Sequence, residues 1–240
     1  MQLRRFLMVV GLSVAAFAWA TAPPEELLKN GRADAARQVL DAAVQHNPND
    51  ARAYHLLCRL YFQLELWDTS LKMAEKSVAL EPQSSTYHEW VGRAAGRKAE
   101  NANPFAAFNL ARRVHAEFER AVALDGNNTS ARSDLAEYYI EAPGFLGGDK
   151  NKARQQADAV APRDPGLASY IRARVEEKQG TGHAEQDYKK AIADSGNLSH
   201  YWTELAYFYR RAGRMQEMES AISKSLAARH PTDLPEYDGA

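Results

Sequence analysis

The sequence predicts an all-α fold, an α-solenoid of about five to six helix pairs, and three observations predict it. First, residues 51 to 84 read as two amphipathic helices and a short turn. Tyr54, Leu57, Cys58 and Tyr61 fall at i, i+3, i+4 and i+7, which is one face of a helix. After a break at Gln63 to Glu65, Trp67, Leu71, Ala74, Val78 and Leu80 carry a second period, and Pro82 ends it. Second, the same spacing returns further along the chain. Third, a helix pair of this length cannot bury its apolar faces alone and needs a similar pair on each side.

The repeated pattern is W-x2-L-G-x2-Y, then A-x3-F, then P, with a period of about 34 residues. Residues 51 to 82 carry it as Tyr54, Leu57, Cys58, Tyr61, Ser70, Ala74 and Pro82. Residues 199 to 231 carry it in their first helix as Trp202, Leu205, Ala206 and Tyr209, with Gly213 at the turn and Met218 and Ile222 in place of Ala and Phe. Leu135, Ala136, Tyr139, Ala153, Ala157 and Pro165 supply another copy, and Ala184 and Tyr188 part of a further one. The chain resembles tetratricopeptide-repeat (TPR) proteins over nearly everything after its first twenty residues. The resemblance implies TPR-like helix pairs wound as a right-handed superhelix, with the first helix of each pair lining a concave face. The fold hosts many binding roles and names none of them.

Composition sets bounds. A chain of 240 residues, 45% hydrophobic and 25% charged, suits one or two ordinary domains or one solenoid. The formal net charge of −1 gives no global basic field for nucleic acid and no acidic tail, so no nucleic-acid partner is expected. Cys58 is the only cysteine. It excludes an intramolecular disulfide and a multi-cysteine metal site, and at a small-residue position of the repeat it reads as a buried small hydrophobe.

The first twenty residues read as a processed leader rather than a folded element. Arg4 and Arg5 precede an apolar run from Phe6 to Phe17, and Ala18-Trp19-Ala20 is a small-x-small cleavage site before Thr21. The run is short for a membrane span. The expectation is a cleaved signal peptide over residues 1–20, a periplasmic or secreted mature chain, and no stable membrane span after cleavage. An uncleaved signal anchor is the alternative.

From there the repeats are expected near 24–50, 51–84, 85–128, 129–165, 166–197 and 198–231 of a solenoid covering 21–231, with a loose tail at 232–240. The first pair has a short opening helix at Pro24 to Asn30, Pro being tolerated in the first turn, and Gly31 ends it. A truncated end repeat suits the outer face of a stack. The third pair is about ten residues longer than the period of about 34. Asn103-Pro104 reads as an N-cap with Pro at the first helical position, opening a long helix to about Leu124. Phe105 and Phe108 in its first turns are expected to pack onto the stack, because exposed paired aromatics are costly. The fourth pair has an expanded turn, Glu141 to Gly148. It lacks phosphate-loop spacing, since Asn151 follows Lys150 where Ser or Thr is needed, and reads as a surface loop with Phe145 and Leu146 tucked against a helix. The fifth pair has Tyr170, Ile171 and Val175 on its first helix, with the register fixed to one or two residues. The last helix is expected to turn Met215, Met218, Ala221, Ile222 and Leu226 inward.

Catalytic chemistry is not written in the sequence. The seven histidines are scattered with no H-E-x-x-H or other ligand spacing, there is no G-x-S-x-G, and adjacent acids such as Glu25-Glu26 point to different azimuths. No catalytic residue, cofactor or metal site is assigned. What remains is the face that the repeat resemblance implies for ligand binding. Its candidate residues are Arg52, His55, Arg59 and Phe62 in the second pair, Trp90 and Arg93 in the third, Asp134 and Glu137 in the fourth, and Tyr207 and Arg210 in the sixth. Arg59 and Arg93 hold one repeat position a unit apart and suit a carboxylate-bearing ligand, with Phe62 and Trp90 as anchors. The alternative is that Arg59 pairs with Glu89 or Glu137 and Trp90 is packing. The Lys and Asn of the chaperone-tail clamp known in some relatives are missing from His55, Arg59, Trp90, Ser130 and Asp134. The expected function is a non-enzymatic scaffold or assembly factor binding a protein or peptide segment in the cell envelope or secretory compartment. Self-association, and an accessory or catalytic role on envelope polymers, are the rivals. Buried acids with raised pKa values would favour the last of these.

Overall fold

The computed structural model describes residues 22–230, and the predicted leader and tail lie outside them. Twelve α-helices fill the described residues: α1 (Pro24–Lys29), α2 (Ala33–His46), α3 (Ala51–Gln63), α4 (Trp67–Leu80), α5 (Ser85–Glu100), α6 (Pro104–Leu124), α7 (Thr129–Glu141), α8 (Lys150–Val160), α9 (Pro165–Gln179), α10 (Ala184–Asp194), α11 (Ser199–Arg211) and α12 (Met215–Ala227). A short 3-10 turn, Gly144–Leu146, interrupts the α7–α8 loop. The fold is an all-α solenoid of helix pairs.

The helix starts follow local chemistry. Asp50, Ser84, Asn103, Asn128, Asp149 and Asp164 each turn a side-chain oxygen onto a backbone N–H of the first turn of their helix, satisfying a donor that the helix itself leaves open. Several turns close through left-handed glycines, Gly31 at φ 67° and Gly213 at φ 74° among them, a backbone that glycine adopts without steric cost.

The chain divides into two compact units, one ending at Pro82 and one beginning at Gln83. In the first, Leu27 and Leu28 of α1, Ala36 and Leu40 of α2, and Ala53, Leu56, Leu57 and Leu60 of α3 form one apolar cluster. Cys58 is fully buried, with Sγ 3.4 Å from Ser70 Oγ, as a small core residue should be.

In the second unit each helix packs on its neighbours in sequence, and the first helices α5, α7 and α9 also touch in succession. Close approach of α5 and α6 depends on Gly92: a Cβ there would stand 2.4 Å from the Phe118 ring. Around α10, α11 and α12 the core is Tyr188, Ala191, Ile192, Tyr201, Leu205, Ala206, Tyr209 and Ala221.

Three expectations fail. Phe105 and Phe108 do not pack onto the stack; they are 79% and 40% exposed. The first buried residue of α6 is Val114; no residue of its earlier turns is buried. Phe145 is 79% exposed. Its loop is held instead by Tyr138, whose hydroxyl donates to the Leu146 carbonyl at 2.7 Å. On α12, Met215, Ile222 and Leu226 face outward and only Ala221 is fully buried, with Met218 partly so. That helix has its main contact with α11, so a narrow stripe suffices.

Candidate functional site

The second unit brings first-helix residues together in two ion-pair clusters. One joins α5 to α7. Glu89, only 3% exposed, accepts from Ser130 Oγ and Asn128 Nδ2 at 2.8 Å each and lies 3.0 Å from Arg93 Nη2. Arg93 donates through Nε to Asp134 at 2.6 Å and through Nη2 to Ser130 Oγ at 2.7 Å. Its guanidinium also lies 5.1 Å from the Trp90 ring centre, within cation–π range. Two acids therefore share one arginine. Burial pushes the Asp134 carboxyl up to about 6; Arg93 opposes the rise, and Glu89 and Glu137 reinforce it.

The second cluster runs from α7 across α9 to α11. Arg174 of α9 bridges Glu137 and Glu141 of α7, and Lys178 reaches Glu141 at 2.6 Å. Glu177, one turn along, takes both Nε and Nη2 of Arg211 at 2.6 and 2.8 Å and the Tyr188 hydroxyl at 2.7 Å. Burial alone would raise the Glu177 pKa; the donors from Arg211 and Tyr188 outweigh it and hold the carboxyl below its usual range. Beside this ladder stand the half-buried rings of Tyr170 and Phe208. Tyr170 lies 6.1 Å from His200 and 5.9 Å from Tyr201, and Phe208 lies 5.3 Å from Tyr188, centre to centre. Tyr207 is 42% exposed, with the Arg210 guanidinium 5.1 Å from its ring centre.

The sequence-predicted residues distribute as follows. Arg93 and Asp134 meet directly, and Glu137 meets Arg174 rather than standing open. Arg93 is already engaged by acids rather than open to a ligand's carboxylate: Glu89 is one helical turn before it and Asp134 faces it from α7. Trp90, at 9% exposure, is largely packing. In the first unit Arg52 ties α3 to Glu25 of α1, His55 is buried, and Phe62 sits edge-on to Trp67 at 5.1 Å. Arg59 and Phe62 belong to that unit, and Trp90 and Arg93 to the other. Arg174, Glu177 and Lys178 were not foreseen. Their signal was the i, i+3, i+4 charge spacing on a helix whose register the apolar pattern leaves loose.

Residues 27–93 match the tetratricopeptide repeat family. Over those residues the chain is similar to tetratricopeptide-repeat proteins. Solved structures extend the likeness in fold beyond the matched residues. A thermophilic TPR protein of Thermus thermophilus, TTC0263, superposes with a TM-score of 0.62 at 19% identity, over 77% of this chain and 94% of that one. PilW, a type IV pilus biogenesis factor, superposes at 0.62 with 16% identity, over 85% and 89%. Human IFIT1, solved as a dimer with PPP-AAAA, gives 0.60 at 19%, over 85% of this chain but 53% of its own. At these identities the likeness concerns fold. Among the described residues no three or more His, Cys, Asp or Glu are grouped to hold a metal, and no helix is long and apolar enough to cross a membrane.

Proposed function

We propose that this protein is a scaffold or assembly factor that holds an extended polypeptide against the first-helix face of its second unit, in the cell envelope or secretory compartment. The observation that carries the reading is the run of partly exposed charge and aromatic surface from Glu137 and Glu141 past Lys178 to Arg211 and Tyr207. Each of its pairs has a solvent-accessible member, so a peptide's own charges can exchange with it, while Tyr207 with Arg210 supplies the residue types that dominate interface energies. The compartment rests on the leader-like residues 1–20, and a pilus biogenesis factor with the same fold agrees with an assembly role. Arg59 and Phe62 are proposed to serve the first unit's own face.

A library of aromatic-containing peptides of varied charge, followed by fluorescence anisotropy, tests this. Binding should weaken with salt, and Tyr207→Ala should lower affinity by about 2 kcal/mol with the helical signal retained. Equal affinity in the variant, or no salt dependence, removes this face.

One observation favours the rival of an enzyme acting on envelope polymers: burial pushes an acid on the same face, Asp134, up to about 6, where a general acid works well. Against it, the carboxyl is committed to Arg93. Polymer cleavage or transfer that disappears in Asp134→Asn would overturn the scaffold reading.

A further inference from the structure

The α5–α6 hairpin is longer than the architecture requires. α6 has 21 residues, whereas the second helices α4, α8, α10 and α12 have 14, 11, 11 and 13. No residue from Gly96 to Arg113 is buried, so the end of the hairpin adds nothing to the core. Gly96 and Val114 mark where the two helices leave it, a Cβ on Gly96 standing 3.8 Å from Val114. Beyond that level the hairpin is capped by Asn103, whose Oδ1 accepts from the Ala106 N–H at 3.0 Å. It is an ordered projection that exposes two phenyl rings.

Its charge differs from that of the chain. Arg97, Lys98, Arg112 and Arg113 stand against a single acid, Glu100, between residues 97 and 116, in a protein of net charge −1. Arg97 pairs with Glu100 at 2.8 Å, and Arg113 lies 3.6 Å from Glu117 of the next turn; counting both acids, the end of the hairpin stays basic. Phe105, Phe108 and Arg112 fall at i, i+3 and i+7, on one helix face.

We propose that this hairpin end is a docking element for an anionic lipid surface, separate from the peptide-binding face. The spacing favours lipid over a protein partner. At 1.5 Å per residue, Arg112 stands about 6 Å below Phe108 and about 10 Å below Phe105 along α6. Apolar groups of interfacial helices enter roughly 5–10 Å beyond the headgroup level. A hairpin entering end-first therefore places its rings among the upper acyl chains with Arg112 at the phosphates. The remaining basic side chains gather at the same surface, where their attraction to anionic headgroups falls off within a Debye length. A protein partner would need a matching pocket for a convex tip; a bilayer yields to one.

The test uses the full chain with vesicles of phosphatidylcholine alone, or with phosphatidylglycerol in equal parts. Because residues 1–20 are themselves apolar, the readouts are local to the hairpin. In Phe105→Trp, brominated acyl chains should quench emission beyond the quenching of the parent chain, and only with phosphatidylglycerol present. The double variant Phe105→Ser/Phe108→Ser should partition about tenfold less, and Arg112→Glu should abolish the preference for anionic vesicles. Both variants should keep the parent Tm and peptide affinity, since the changed side chains are exposed. No additional quenching at position 105 overturns the proposal. So does concentration-dependent dimerisation that the Phe variant abolishes, which assigns the rings to a second copy, or salt-sensitive binding to an oligonucleotide without lipid quenching.

Discussion

The α5–α7 junction and the α7–α9–α11 ladder join successive first helices by the same chemistry, carboxylate to guanidinium, at different depths. In the junction, side-chain exposures are 4% for Glu89, 18% for Arg93 and 22% for Asp134, and Asn128 and Ser130 complete the hydrogen bonding. In the ladder Arg174 and Glu177 are as sheltered, at 15% and 19%, but each is paired with a partner that is 40% to 46% exposed, Glu137 and Glu141 for the first and Arg211 for the second, and Lys178 with Glu141 is exposed on both sides. The difference teaches that position in the repeat does not set a charge's role; burial does. Water and salt screen exposed pairs to a net of roughly 0–1 kcal/mol. A buried pair returns little when intact and costs much when one partner is removed, because the other charge is left desolvated. The junction is therefore a structural clasp, and the ladder is the part of the face a ligand can reorganise.

The largest expected effect comes from opening the clasp. Arg93→Ala leaves Glu89 and Asp134 facing each other without a cation, and should destabilise by about 3–5 kcal/mol, read by urea unfolding. Arg93→Lys should recover only part of this, since one ammonium cannot reproduce the fork that reaches Asp134 and Ser130 together. A loss below about 1 kcal/mol would place the clasp in the same class as the ladder.

A middle-sized effect concerns Asp134. Its folded pKa of about 6 lies above the ordinary 3.8. Between those values the folded state holds more protons than the unfolded one, so this group's contribution improves as pH falls from about 6 toward about 4 and is a cost at neutral pH. Asp134→Asn keeps an acceptor for Arg93 and removes the cost. It should raise stability at neutral pH by on the order of 1 kcal/mol, allowing for the part of the side chain still in water, and give no gain near pH 4. A variant less stable at neutral pH than the parent would show that the charge, not only the acceptor, is needed.

How legible this was depended on how many neighbours each helix has. Helix α11 shows its face because Tyr201, Leu205, Ala206 and Tyr209 stand on one buried stripe. α9 packs against α7, α8 and α10, so Ala168, Ile171, Ala173 and Val175 are buried around much of its circumference; the period blurs, and Arg174, Glu177 and Lys178 are missed with it. Phe105 and Phe108 show the converse failure. An apolar face reads alike whether or not the fold supplies something to cover it. Arg93 and Asp134 were each placed on the first-helix face, but their contact depends on how α5 and α7 approach, which no local spacing encodes.

The smallest expected effect is the sharpest check on the comparison. Lys178 joins the ladder through Glu141, at 45% and 46% exposure, and Arg174 also serves Glu141. Removing the ammonium in Lys178→Ala leaves no buried charge behind. Stability should change by less than about 1 kcal/mol, and added salt should shrink the difference further. Peptide affinity should move more than stability does, because a bound acidic segment would pair with Lys178 and a basic one would compete with it for Glu141. A double-mutant cycle between Lys178→Ala and Glu141→Gln separates the pair from its surroundings. A coupling above about 2 kcal/mol that persists in high salt would make the ladder a second clasp, and would leave Tyr207 and Arg210 as the accessible remainder of the face.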